Sequence, residues 1–235
     1  AGEPAADDPD LEEEDDEAPE EIEEIEEPED DEASVLAPQL AEDGIAVQAA
    51  HTHCYCGGSV TAGDHTSHSA VTYTAWNGTS SISYTNNTAY VYLTGNVDQS
   101  DPLFVQDGQT LYLCLNGYSL RGKGITCYGG STLYLCDCSS PQTGTVSDIP
   151  SSCISVSENA ALYMYSGTLC NGNTANSGGG VNVKGTMNLY GGTIRDNTAA
   201  SDGGGIFVNP TGTLNLYGGT ITGNKVNTVQ STHGG

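Results

Sequence analysis

Apolar and polar residues alternate along the last third of the chain in runs of three or four, and the alternation returns at a nearly constant interval. The pairs Ile154/Val156, Val181/Val183 and Ile206/Val208 each lead through a turn of small residues into a second pair, Leu162/Met164, Met187/Leu189 and Leu214/Leu216. Period two of this kind marks half-buried strands. The second pair sits inside a repeated phrase, Tyr163-Met164-Tyr165-Ser166-Gly167-Thr168-Leu169, Asn188-Leu189-Tyr190-Gly191-Gly192-Thr193-Ile194 and Asn215-Leu216-Tyr217-Gly218-Gly219-Thr220-Ile221, whose third residues lie 25 and then 27 positions apart. A repeat of that length predicts a solenoid of stacked windings. Upstream, Ile125/Cys127 with Leu133/Leu135, and Leu103/Val105 with Leu111/Leu113, fit the same template. Taking Cys114, Cys136, Tyr165, Tyr190 and Tyr217 as equivalent gives spacings of 22, 29, 25 and 27, hence about five coils.

Each apolar run is bounded by Gly-Gly, Asn-Gly or Ser-Gly, which leaves no room for a helix of about 10 residues. The prediction is therefore an all-β parallel β-helix over 102–235, with Ile, Val and Leu in continuous inner rows and Tyr in outer ones. A leucine-rich repeat has a similar length but needs a leucine and asparagine spacing that the chain does not contain. Before the coil, Val71–Trp76, Ser81–Tyr84 and Ala89–Leu93 read as strands separated by Asn77-Gly78 and Asn86-Asn87 turns, and 70–101 is predicted to be an N-terminal β cap with Trp76 as its core plug.

Gly178-Gly179-Gly180-Val181-Asn182-Val183 and Gly203-Gly204-Gly205-Ile206-Phe207-Val208, each followed by Leu-Tyr-Gly-Gly-Thr-Ile and then Asn197 or Asn224, resemble the repeats of right-handed parallel β-helix surface proteins of Gram-positive gut bacteria and, more distantly, polymorphic outer-membrane-protein-type repeats. The likeness covers roughly 102–235. It implies a right-handed winding and a secreted or cell-surface setting in a bacterium. The wider superfamily also contains polysaccharide lyases and hydrolases, so the resemblance does not select an activity.

Charge divides the chain. Residues 1–50 hold 22 Asp and Glu and no Lys or Arg, out of a net charge of −26. Such a composition cannot collapse onto a core and predicts a disordered acidic leader or spacer. Five Lys and Arg scattered over the remainder make no phosphate-neutralising patch, so nucleic acid is not an expected partner. No stretch reaches the roughly 20 apolar residues of a membrane span. Asn224 to Gly235 traces the turn that elsewhere leads into Gly-Gly-Gly-Val or Gly-Gly-Gly-Ile, so further coils or domains of the same protein are expected beyond Gly235.

The densest chemistry lies between leader and coil, in 51–69. His51-Thr52-His53-Cys54-Tyr55-Cys56-Gly57-Gly58 is followed by His65 and His68, which places four of the five histidines within 18 residues. Thiolate and imidazole in this density can close a tetrahedral zinc site, with Cys54, Cys56, His65 and His68 as the first choice of ligands and His51 and His53 as substitutes. A disulfide-linked, His-rich linker is the other reading, because Cys-x-Cys is not a standard finger spacing. A comparable His, Cys and Gly-Gly segment precedes the coil in the surface proteins the chain resembles, which implies a structural role for 51–69 rather than catalysis. Of the other cysteines, Cys114 and Cys136 share one position on successive coils within disulfide reach, Cys127 replaces an inward Val and reads as a buried thiol, and Cys138, Cys153 and Cys170 fall near turns.

Catalysis finds little footing. Asp107, Asp137, Asp148, Glu158, Asp196 and Asp202 sit at unrelated rung positions, and Asp196 beside Arg195 reads as an exposed ion pair. The outward side chains offer more. Tyr112, Tyr134, Tyr163, Asn188 and Asn215 form one predicted row and Tyr165, Tyr190 and Tyr217 its neighbour, a ladder that either shields the backbone or presents ring faces to sugars. Asn173, Asn197 and Asn224 predict an internal amide ladder at one turn, allowing a one-residue slip. The expected function is a non-catalytic surface module for adhesion, display, or binding of glycan or host protein. A polysaccharide lyase or hydrolase and a passive stalk are the alternatives.

Overall fold

The computed structural model describes residues 50–56 and 69–227. The predicted acidic leader, apart from Ala50, lies outside the described residues, as do His65 and His68. Every regular element among the described residues is a strand. Three antecedents of the main sheet are β1 (His51–His53), β2 (Val71–Trp76) and β3 (Thr88–Leu93), and from β3 onward the sheet gains one parallel strand per winding, at Thr110–Cys114, Thr132–Cys136, Ala161–Met164, Thr186–Leu189 and Thr213–Leu216. A six-stranded and a five-stranded sheet form the other walls, and Asn173–Thr174, Thr198–Ala199 and Lys225–Val226 add a short fourth side. The chain is a parallel β-solenoid.

Register follows the repeat. Leu111, Leu133, Leu162, Met187 and Leu214 are partners in turn along the main sheet, Ile125, Ile154, Val181 and Ile206 along the second, and Leu120, Val146, Leu169 and Ile194 along the third. These side chains belong to one continuous inner cluster. In-register stacking puts like residues about 4.8 Å apart, so each level covers the apolar groups of the next and strand N–H groups meet carbonyls of a neighbouring winding. At the corner after Arg121, Ser147, Cys170, Arg195 and Thr222 the chain passes through the left-handed region, at Gly122 (φ 103°), Asp148 (57°), Asn171 (56°), Asp196 (56°) and Gly223 (65°). Only Gly, Asn and Asp occupy this column because they tolerate that conformation best.

The structure changes four details of the sequence reading. There are about six windings, because β3 is a full member of the stack: Ala89 pairs with Leu111 and Tyr90 with Tyr112. β2 pairs in parallel with β3, so the cap strands of 71–93 are built as the first strands of the main sheet. Ser81–Tyr84 is not a strand; Ile82 and Tyr84 instead pack on the inner cluster. Trp76 is buried in that cluster, with its indole N–H donating to the Ser80 carbonyl at 2.8 Å, as expected of a plug. Finally, the amide ladder has two members. Asn197 Nδ2 donates to Asn224 Oδ1 (2.9 Å) and to the Leu169 carbonyl (3.0 Å), while its Oδ1 accepts from the Gly172 N–H (2.8 Å). Asn173 pairs with Thr198, one position off, and is exposed.

Candidate functional site

Outward positions of the main sheet form two columns. One reads Tyr90, Tyr112, Tyr134, Tyr163, Asn188, Asn215, and its rings stack at centroid distances of 4.4, 4.3 and 4.7 Å, after which Asn215 Nδ2 donates to Asn188 Oδ1 at 2.9 Å. The other is predicted to carry Cys114, Cys136, Tyr165, Tyr190 and Tyr217, and the register places them so, below Tyr92. Tyr165, Tyr190 and Tyr217 stack at 4.9 and 4.5 Å. Within this column two cysteines stand where the others have rings. Their small side chains leave a notch two windings tall, about 10 Å at about 4.8 Å per winding.

The segment His51–Cys56 fills that notch. β1 runs antiparallel to β2, with His51 opposite Tyr73 and His53 opposite Val71. The His51 ring stacks on Tyr92 at 3.9 Å, the His53 ring on Tyr73 at 4.3 Å, and Tyr55 meets Tyr112, Tyr134 and Tyr165 at 5.6, 5.4 and 5.7 Å. The predicted binding face is therefore largely covered. Tyr165, expected to point into solvent, is only 5% exposed, Tyr112, Tyr134, Tyr163 and Tyr190 are half-buried, and Tyr217 is 50% exposed. Alternation correctly puts all six outside the inner core; what covers Tyr112, Tyr134 and Tyr165 comes from a distant part of the chain.

Four donors converge beneath this segment. The ligand atoms of His51, His53, Cys114 and Cys138 all lie within 4.8 Å of one another. His53 Nε2 is 3.1 Å from His51 Nε2, Cys138 Sγ is 3.4 Å from His51 Nε2, and Cys114 Sγ is 3.2 Å from Cys138 Sγ. A four-coordinate ion with sulfur at about 2.3 Å and nitrogen at about 2.0–2.1 Å needs donor edges of roughly 3.3–3.8 Å; the three distances above fall at or just below that range and every pair lies within 4.8 Å, so side-chain adjustments would close a tetrahedral cage. The backbone adds orientation. His53 Nδ1 is hydrogen-bonded to the Cys54 carbonyl, which places its proton there and turns the Nε2 lone pair towards the other donors, the arrangement that prepares an imidazole for a metal. This His/Cys cluster can hold a metal ion.

Its electrostatics follow from burial and mutual contact. Burial, with His53 beside it, holds His51 below its ordinary value, whereas His53 is raised because hydrogen bonds to Cys138 and to the Cys54 backbone outweigh the opposing effect of its burial. The Cys114 thiol is raised first by its hydrogen bond with Cys136 and then by burial, and Cys138 is raised by its hydrogen bond with Cys114 and by burial, against a smaller pull from His53.

The expected ligand set is thus replaced in part. Cys54 and Cys56 form a disulfide, which removes both thiolates from coordination. His65 and His68 lie outside the described residues. The two substitutes, His51 and His53, are the residues the fold delivers, and their partners Cys114 and Cys138 come from the solenoid. Cys114 and Cys136 are register partners, as expected from their spacing, but both are free thiols. Cys127 is fully buried and its thiol is pushed up to about 12 by burial, as an inert core thiol should be.

Among the acidic candidates, Asp137 is completely buried and accepts only structural hydrogen bonds, from the N–H groups of Gly117 (2.8 Å), Ser139 (3.2 Å) and Gly144 (2.6 Å) and the Ser139 hydroxyl (2.9 Å). Asp148 accepts from Asn171 Nδ2 at 2.9 Å, and Asp196 pairs with Arg195 at 2.7 Å on the surface. A cleft of about 500 Å3 at the β2–β3 end is lined by hydroxyls, including Thr72, Thr74, Ser81, Ser83 and Thr88, together with apolar side chains such as Trp76 and Ile82, and among the described residues no carboxylate lines it. No family model matches the chain, and no curated protein or solved structure matches it.

Proposed function

We propose that the chain is a non-catalytic, exported, cell-surface β-solenoid module of a bacterium, which displays its outer face to a glycan or a host or cell-surface protein. The observation that supports this reading is the unbroken register from β3 to Thr213–Leu216. It lines up each outward side chain along the axis and so makes a repetitive surface about 25 Å long, suited to an extended or repeating partner. The part of the tyrosine face left open is the Tyr190–Tyr217 stack. Replacing both residues by Ser is expected to weaken saturable binding to immobilised glycans or surface proteins at least tenfold while the far-UV spectrum stays β-rich. Equal binding by the double variant would remove this face from the reading. A second reading, a passive stalk, is favoured by the covering of Tyr112, Tyr134 and Tyr165, and it predicts no saturable binding by the native protein across the same panel.

We further propose that the metal of the His/Cys cluster is zinc. Two imidazoles and two thiolates leave no open coordination position and suit zinc in a structural site. Protein purified without added metal is expected to carry close to one equivalent of zinc, and His51→Ala with His53→Ala to lose it. Less than half an equivalent in the native protein would return 51–69 to a disulfide-linked linker.

A further inference from the structure

We infer that the metal cluster is a clasp for an internal strap: ion occupancy decides whether His51–Cys56 stays docked over the tyrosine column or leaves Tyr112, Tyr134 and Tyr165 open. The inference rests on the zinc reading above. Its basis is the division of the four donors. Two belong to the strap and two to the solenoid, on successive windings, so any ion bound by all four joins the strap to the body of the fold.

Without an ion the strap has modest means of attachment. Among the described residues β1, three residues long, pairs only with β2; the strap adds a Thr52–Thr72 hydroxyl contact at 3.2 Å, imidazole stacks on Tyr92 and Tyr73 and the ring contacts of Tyr55. Ordering a short segment costs conformational entropy at every residue, and one three-residue strand at a sheet edge recovers little of it. Opposing imidazole and thiol donors gain less from one another than from a shared cation, because a metal requires the sulfurs to be deprotonated and then binds all four groups at once. The solenoid has no such dependence. Its windings are held by continuous inner columns that reach neither histidine.

The strap also defines what the surface beneath it accepts. Its buried contacts are the faces and edges of aromatic rings and two sulfurs: Cys56 is 5% exposed, and Tyr55 lies across three tyrosines from consecutive windings. The column is a docking surface for a short aromatic segment, and its occupant in this structure is the chain's own.

The test uses the full chain in two states, loaded with one equivalent of zinc or stripped with a chelator that is then dialysed away. Removing zinc is expected to speed amide exchange in Thr52–Cys56 at least tenfold and to raise hydroxyl-radical labelling of Tyr134 and Tyr165. Amides of Leu133 and Leu162 should stay slow, and labelling of Tyr217 should not change. Cys138→Ser, altering a half-buried turn residue, should show the stripped pattern even with zinc present. If zinc binds stoichiometrically and the strap is equally protected in both states, the clasp is wrong and the zinc site stands. If zinc does not bind, both fail. If Leu133 and Leu162 lose protection together with the strap, the ion holds the whole fold and the clasp is again overturned.

Discussion

Asp137→Asn is expected to lower the free energy of unfolding by about 2–4 kcal/mol, seen as a drop in the urea midpoint at unchanged slope. The substitution keeps shape and volume and changes only which atoms can accept. In the native protein Oδ1 takes hydrogen bonds from the Gly117 and Ser139 N–H groups and the Ser139 hydroxyl, and Oδ2 takes one from the Gly144 N–H. Both oxygens are acceptors, and the residue is 0% exposed. An amide must turn its NH2 towards one set or the other, placing donor against donor with no water to intervene, and a buried N–H left unpaired costs about 1–3 kcal/mol. Asp202→Asn is the control. Asp202 is exposed, with a long 3.4 Å contact to the Ser177 hydroxyl, and its replacement should stay within about 0.5 kcal/mol. Equal midpoints for the two variants would mean that the carboxylate does not organise this turn. The same turn carries Cys138, so loosening it should also weaken zinc retention.

The winding was legible because a solenoid writes its tertiary contacts into sequence as a repeat: equating Cys114, Cys136, Tyr165, Tyr190 and Tyr217 is a statement about register, and the pairings bear it out. The first winding was read as part of the cap and left out of the coil count for the converse reason. Thr88–Leu93 keeps the alternation but not the Gly-Gly-Thr phrase, although Ala89, Tyr90 and Val91 match Leu111, Tyr112 and Leu113 at a spacing of 22. The donor cluster was only half legible. Local density singled out His51 and His53 but also Cys54 and Cys56, whose closeness in sequence lets them bond to each other. Cys114 and Cys138 join the histidines only after the chain has wound, and no local spacing encodes that. A usable trace existed in the two cysteines that interrupt a tyrosine column, since small side chains there need something to fill the notch. The covering of Tyr165 was hidden for the same reason.

The glycine triplets carry the other large effect. Gly180→Ala is expected to cost about 3 kcal/mol, although its backbone lies outside the left-handed region and Ala would fit there conformationally. A Cβ at this position would come within 2.5 Å of the Gly205 carbonyl oxygen, 2.8 Å of Ile194 Cγ2 and 3.0 Å of Asn197 Nδ2. None of these can easily yield. The carbonyl accepts the hydrogen bond of Val181 N–H at 2.8 Å, and the amide belongs to the Asn197–Asn224 ladder, so relief requires moving one winding away from the next. Separation at one corner would be felt along the neighbouring columns, because the stack has a single spacing. Gly95→Ala isolates this cause: its Cβ would meet nothing within 4 Å, and its φ is unrestricted, so the change should be neutral to within about 0.5 kcal/mol. Urea unfolding of both variants decides the matter. If Gly180→Ala is as stable as Gly95→Ala, the triplets are not there to let windings approach, and the close stacking of Gly178–Gly180 against Gly203–Gly205 does not limit the fold.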